Sequence, residues 1–112
     1  MSTYKQWEVY WAYVPYKEGK GGKDRPVVVI SQGECQQVMM LYLTTSKPNN
    51  DYDTLIKEWK KSGLTESTYT RVARRYPIES ITIHQRIGRL MRVDQLGIAD
   101  ALASYDSLGN SY

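Results

Sequence analysis

Arginine and the polar-edged aromatics are the residues in this 112-residue chain best suited to chemistry on a phosphate-bearing substrate. A guanidinium donates two parallel hydrogen bonds to phosphate oxygens, and a Tyr or Trp ring offers a face for a base to stack on. All arginines except Arg25 fall between Arg71 and Arg92: Arg71, Arg74, Arg75, Arg86, Arg89 and Arg92. Glu79 is the only acid in that stretch. Lysines group at Lys17, Lys20, Lys23 and again at Lys57, Lys60, Lys61. The chain has ten Tyr and three Trp but no Phe, so every aromatic ring carries a polar edge. With a net charge of only +3, the plain alternative is that these cations are solvated surface.

Other chemistries find little support. Gly19-Lys20-Gly21-Gly22-Lys23 resembles a phosphate loop in composition, but Asp24 follows Lys23 and no helix follows the glycines. It reads as a flexible strand connection, or as a lid over a ligand site. His84 has no nucleophile-elbow pattern around it, and Asp51 and Asp53 read as caps at a helix start. One histidine and one cysteine argue against a zinc site or a redox pair. Cys35 on its own suits a reducing compartment, and no apolar run exceeds the six residues from Val38 to Leu43. A cytoplasmic protein without membrane contact, metal or cofactor is expected.

The elements that must position these side chains read as mainly β. Residues 7 to 16 alternate as a strand that is largely apolar on both faces, with Trp7, Val9, Trp11, Tyr13 on one and Tyr10, Ala12, Val14, Tyr16 on the other. One face must be covered by something else, and a partner copy would serve. Val27 to Ser31 and Val38 to Leu43, joined by a turn at Gln32-Gly33-Glu34, predict an antiparallel hairpin. Tyr52, Leu55, Ile56 and Trp59 recur at helical spacing, with Gly63 as the stop, and predict a short internal helix. Residues 68 to 76 form a further strand, Ile78 to Ile83 another, and Ile87 to Leu90 a separate extended piece. A C-terminal helix spans 93 to 105 with Val93, Leu96, Ala99, Leu102 and Ala103 on its apolar stripe. One domain follows, with a core over about residues 7–105 and a tail over 106–112. Its expected architecture is a small antiparallel β-barrel with helical additions.

Several short motifs, in order, resemble the MazF/PemK-like toxin family. Arg25-Pro26 followed by Val27-Val28-Val29-Ile30-Ser31, after a Gly-rich basic loop, is similar to the family's opening signature. Leu43-Thr44-Thr45-Ser46 matches its strand-end triplet, and Trp59-Lys60-Lys61-Ser62-Gly63-Leu64 with Ser67 to Arg71 matches a subset of members. Arg86-Ile87-Gly88-Arg89-Leu90 and Asp94 are similar to the motif before the terminal helix. The resemblance spans residues 7 to 105.

It implies an SH3-like barrel of the CcdB/MazF type, a homodimer, and a metal-independent endoribonuclease cleaving single-stranded RNA in short sequence contexts. It further implies a cognate antitoxin that keeps the enzyme silent. Carried over, Arg25 and Thr44 are the catalytic pair, with Lys20, Lys23, Thr45, Ser46, Arg71 and Arg74 as RNA contacts. Arg71 matches a family arginine that precedes an aspartate by two positions, but Ala73 stands at the aspartate's place. A carboxylate base is therefore missing there. The alternative is a non-catalytic nucleic-acid-binding barrel that kept the fold. Gyrase poisoning of the CcdB kind relies on a Trp near the C-terminus, and here all three Trp precede residue 60.

Overall fold

The computed structural model describes residues 4–16, 18–32 and 38–108. The turn expected at Gly33-Glu34, together with Lys17, Cys35 and Tyr112, lies outside them. Five strands form one antiparallel sheet: β1 (Glu8–Pro15), β2 (Gly22–Gln32), β3 (Val38–Thr44), β4 (Tyr69–Pro77) and β5 (Thr82–Arg89). Their order is β4-β3-β2-β1-β5. A 3-10 turn, Ile78–Ser80, joins β4 to β5, and α1 (Arg92–Ser107) closes the chain. This is the mainly β architecture with a C-terminal helix that the sequence predicts. No helix among the described residues is long and apolar enough to cross a membrane.

The sheet buries both of its faces. Tyr10, Ala12, Val14, Val27, Val29 and Met40 pack on one side with Ile81. Val9, Val28, Leu41 and Leu43 pack on the other with Ile56, Leu64, Leu90 and Ile98. Tyr10 and Val14 are therefore buried within a single copy, and they need no partner. The aromatic rings that β1 leaves on the surface are Trp11 and Tyr13. β1 also starts one residue late, because Trp7 sits at φ 74°, outside strand geometry.

The helix expected over 51–63 does not form; that stretch runs as turns with one bridge, Leu55↔Tyr69. Backbone groups at its start are captured by β4 and the residue before it instead: Thr70 N–H donates to Thr54 O (2.9 Å) and Ile56 N–H to Thr68 O (2.9 Å). An amide spent on a neighbouring strand cannot close a helical turn. Only residues 58 to 64 turn tightly, and Gly63 ends them at φ +94°, as its type suggests. The carbonyl of Ser62 comes so near Gly88 that a Cβ there would meet its oxygen at 2.2 Å. Ile87 to Leu90 is thus not a separate piece, since β5 continues through Arg89.

A carboxylate of α1 fastens this irregular segment. Asp94, on the first turn of α1, accepts from the N–H groups of Lys57 (2.7 Å) and Glu58 (2.9 Å). Turning Asp94 inward rotates the helix away from its predicted stripe. Ile98 and Asp94 are its buried residues, whereas Val93 and Leu96 are 46% and 55% exposed. Asp106 and Ser107, expected in the tail, are helical, and Arg75 Nη1 donates to Asp106 Oδ2 at 3.0 Å.

Asp94→Ala leaves two partly buried amides without acceptors. The expected loss is about 2 kcal/mol in urea unfolding. Glu8 offers a test by pH. Burial pushes its carboxyl up, but hydrogen bonds from the Lys5 N–H, the Tyr10 hydroxyl and Arg86 outweigh that and hold it below the usual range. Burial and the bond to Glu8 push the Tyr10 phenol up to about 12, so it remains a donor. A lowered carboxyl stabilises the fold above its unfolded value and loses that contribution as pH falls through the folded one. Melting temperature should therefore drop as pH falls below 4.5, and Glu8→Gln should flatten that acid limb.

Candidate active site

Pro26 shapes the region where the sequence places its candidates. It has no N–H for the ladder, and the β2–β3 register runs from Val27↔Tyr42 onward, on one side of it. The two strands part there. Continuing the register by two residues sets Arg25 of β2 against Thr44 of β3.

Arg25 shares a face with Val27 and Tyr42. Its Cζ lies 5.7 Å from the centroid of the Tyr42 ring, and Arg74 of β4 reaches the same ring at 5.3 Å. Two guanidiniums on one aromatic ring concentrate positive charge that the whole-chain value of +3 does not reveal. Among the described residues, Arg25 Nε is the buried side-chain polar atom without a hydrogen-bond partner. Such an atom is costly unless a ligand completes it. A cleft of about 120 Å³ opens beside Arg74, between Lys23, Glu18, Tyr16, Tyr42 and Tyr76, and Arg25 lies against the Tyr42 ring of its wall. Tyr76 tilts against Tyr42 with ring centroids 6.3 Å apart. Burial pushes its phenol up, with Tyr42 adding to the effect and Arg74 opposing it. It therefore stays a hydrogen-bond donor at neutral pH.

The other candidates divide. Lys23 belongs to the cleft, on β2 and not in a loop, since the turn shrinks to Tyr16–Gly21 with Tyr16 N–H donating to Gly21 O. Lys20 is exposed in that turn. Thr44 is buried, 3% exposed, and its Oγ1 accepts from the Ser46 N–H at 3.2 Å. That bond uses the oxygen and leaves the hydroxyl proton to be donated. Ser46 is exposed just beyond it, and Thr45 lines a different groove with Trp11 and Pro26.

Arg71 is not available to a ligand in this geometry. It is 8% exposed, pairs with Asp53 Oδ2 at 3.1 Å, and donates to Lys47 O at 2.7 Å. The same carboxylate accepts from Val72 and Asn49 N–H groups. Asp53, expected as a helix cap, is thus the carboxylate beside Arg71, though Ala73 leaves none on the strand itself. The arginine stretch from 71 to 92 also breaks up: Arg75 holds Asp106, and Arg86 Nε holds Glu8 Oε2 at 2.9 Å. His84 faces Asp24 at 3.1 Å, and both side chains are exposed. Tyr42, Tyr76 and Glu18 are the site residues that sequence reasoning missed. One signal existed, Tyr42 as the lone polar-edged ring in a strand otherwise of Val, Met and Leu, two positions before Thr44. No group of three or more His, Cys, Asp or Glu able to hold a metal is present among the described residues.

Fold and site define a small, mainly β protein with a cationic cleft on an aromatic floor. Residues 5–105 match the family model described as "PemK-like, MazF-like toxin of type II toxin-antitoxin system". The chain belongs to that family. Solved structures share the fold: an endoribonuclease from mycobacterial species matches with a TM-score of 0.69 at 16% identity, covering 100% of this chain and 97% of that one. An endoribonuclease in complex with its cognate antitoxin, also mycobacterial, matches at 0.63 and 18% identity, covering 96% of each chain. The MazE–MazF complex of Deinococcus radiodurans matches at 0.55 and 14%, covering 91% of this chain and 93% of that one. No curated protein matches the chain.

Two of the three arginines of β4 should separate in a stability test. Arg71→Ala leaves buried Asp53 without its cation and should cost about 3 kcal/mol in urea denaturation. Arg74→Ala removes only a stacked guanidinium and should stay within about 1 kcal/mol of the parent.

Proposed function

We propose that this protein is an endoribonuclease that cleaves single-stranded RNA by transesterification, leaving a 2′,3′-cyclic phosphate and a 5′-hydroxyl. The observation that carries this reading is the unpartnered Nε of Arg25, held on Tyr42 beside Arg74. In the reaction the 2′-oxygen attacks phosphorus, the P–O2′ bond forms and the P–O5′ bond breaks. Negative charge builds on the nonbridging oxygens, where Arg25 and Arg74 act as fixed electrostatic clamps. One preorganised donor of this kind contributes about 3–4 kcal/mol to the rate. Thr44 donates its hydroxyl proton to the same phosphate and fixes it in line for attack. Arginine stays protonated below a pKa of about 12, so it does not accept the 2′-proton. Glu18 is the carboxylate of the cleft, and we assign it that proton. To Tyr76, a phenol whose tendency to ionise burial lowers further, we assign the proton for the leaving 5′-oxygen.

None of these steps uses a metal. Lys20, Lys23 and Ser46 track the RNA backbone around the cleft, while Arg71 is left out of the contact set. We place the protein in the cytoplasm as a homodimer, under the control of a cognate antitoxin. An acidic, partly apolar antitoxin segment would fill the cleft, its carboxylates on Arg25 and Arg74. Light scattering at tens of micromolar tests the dimer, with twice 13.0 kDa expected.

A labelled single-stranded RNA, incubated with EDTA, tests the activity. Cleavage is expected to persist in chelator, and Arg25→Ala should lower turnover by roughly several hundred-fold with little change in melting temperature. Glu18→Gln should lower turnover while leaving RNA affinity nearly unchanged. Activity lost in EDTA and restored by Mg²⁺ would defeat the metal-free mechanism. RNA binding with no cleavage would make the protein a non-catalytic barrel.

A further inference from the structure

Strand β4 does not pair evenly with β3. Tyr42 stands opposite Arg71 and Leu41 opposite Arg75, so one step along β3 matches four along β4. Val72, Ala73 and Arg74 bulge out of the ladder, with no β3 partner among the described residues. The bulge decides where Arg74 goes. Carried on evenly from Tyr42↔Arg71, the register would set Arg74 opposite Met39. That position is roughly 10 Å along the strand from Tyr42 and on the other face of the sheet. The bulge instead brings the Arg74 guanidinium onto the Tyr42 ring, 5.3 Å from its centroid.

A bulge has to be held, because its backbone has left the ladder. Val72 is 1% exposed, and both of its backbone polar groups are taken by charged side chains. Its N–H donates to Asp53 Oδ1 (3.0 Å), and its carbonyl accepts from Arg75 Nε (3.1 Å). Cross-strand partners share a face, so Arg75, opposite Leu41, points to the side that Ile98 of α1 covers. There Nη1 donates to Asp106 Oδ2 (3.0 Å) and Nη2 to Asp106 Oδ1 (2.5 Å). One planar fork thus ties the carbonyl of the bulge to the last turn of the helix. The helix itself does not favour a carboxylate at that end, where its dipole is negative. The hydrogen bonds from Arg75 hold the Asp106 carboxyl below its usual range, against a smaller opposing effect of burial.

We propose that Asp106 is a positioning residue for the catalytic cleft, acting through Arg75 to hold the bulge that aims Arg74 at Tyr42 and the phosphate. The part that Arg74 plays on the phosphate rests on the ribonuclease reading, whereas the latch itself does not. Asp106 does not line the cleft, and Arg74 and Arg75 point to opposite faces. The influence therefore passes through the backbone of the bulge. Without Asp106, Arg75 loses its anchor on the helix and the Val72 carbonyl loses a fixed donor. A bulge that slips by one residue turns Arg74 away from Tyr42.

Two readouts test this. Protons above a tyrosine face resonate upfield, so NMR signals of the Arg74 side chain report its place on Tyr42 without any RNA. In Asp106→Ala they should move toward the values of a solvated arginine while the molecule stays folded. Turnover on single-stranded RNA should fall by about tenfold or more. In an Arg74→Ala background the same substitution should cost less than about twofold, since the residue it positions is gone. Asp106→Glu, which keeps both oxygens, should recover most of the signal and the turnover. Asp100→Ala, which removes an exposed acid of the same helix, should change neither. Should Asp106→Ala not fold, Asp106→Asn keeps the shape with one acceptor and must shift both readouts in the same direction. An Arg74 signal unmoved in the folded variant would overturn the proposal. A moved signal with turnover unchanged would do so too, as would an equal loss of turnover in the Arg74→Ala background. RNA left uncleaved by the parent protein removes the ribonuclease reading alone, because the Arg74 signal still decides the latch.

Discussion

A five-stranded sheet that buries both faces in 112 residues leaves little chain to cover the second face. That constraint governs the rest of the molecule. One side is closed by Ile78 and Ile81 at the 3-10 turn together with Tyr4, Tyr42 and Tyr76. The other is closed by α1 and by a stretch between residues 52 and 64 that has almost no regular structure. Buried backbone in such a stretch must find acceptors outside itself, since an unmade hydrogen bond costs more than a made one contributes. Asp94 supplies such acceptors to the Lys57 and Glu58 amides. Asp53, inside the stretch, ties it down the other way, by accepting from the Asn49 and Val72 amides beyond its ends. Both carboxylates are structural, and each dictates geometry elsewhere.

Anchoring by carboxylates also decides which cations remain for chemistry. Asp53 takes Arg71, Asp106 takes Arg75, and Glu8 takes Arg86. Three of the six arginines in the stretch that looks basic in one dimension are paired in three. Positive potential is instead concentrated where Arg25 and Arg74 come from different strands to a single tyrosine ring. A pair of like charges held together repels, and the aromatic face offsets part of that cost. An anion would relieve the remainder. The cleft is thus built with its positive charge already in place, which is what electrostatic catalysis requires.

Much of the fold was legible in the residue pattern. The β2–β3 pairing, the C-terminal helix and the Gly63 stop follow from β-branched runs, helical spacing and glycine's freedom at positive φ. The failures have a common cause. The 51–63 helix was read from an apolar period that is genuine, but β4 captures the amides that a helix would have used. The α1 stripe was misplaced because Asp94 turns inward, so a polar residue defines the buried side. Periodicity records which side chains avoid water and does not record where a backbone N–H finds its acceptor.

The site divides along the same line. Arg25-Pro26 and Leu43-Thr44-Thr45 are local, and the chain by itself determined that a cationic residue would precede the apolar run of one strand and a hydroxyl would end the next. Only the tertiary structure decided that Arg74 joins Arg25 on Tyr42, that Glu18 and Tyr76 line the same cleft, and that Arg71 is withdrawn into an ion pair. Those outcomes depend on contacts between residues far apart in sequence, such as Asp53 with Arg71 and Glu8 with Arg86. Charge in a sequence is a sum over residues, whereas the charge a ligand meets is what remains after the fold has paired its own.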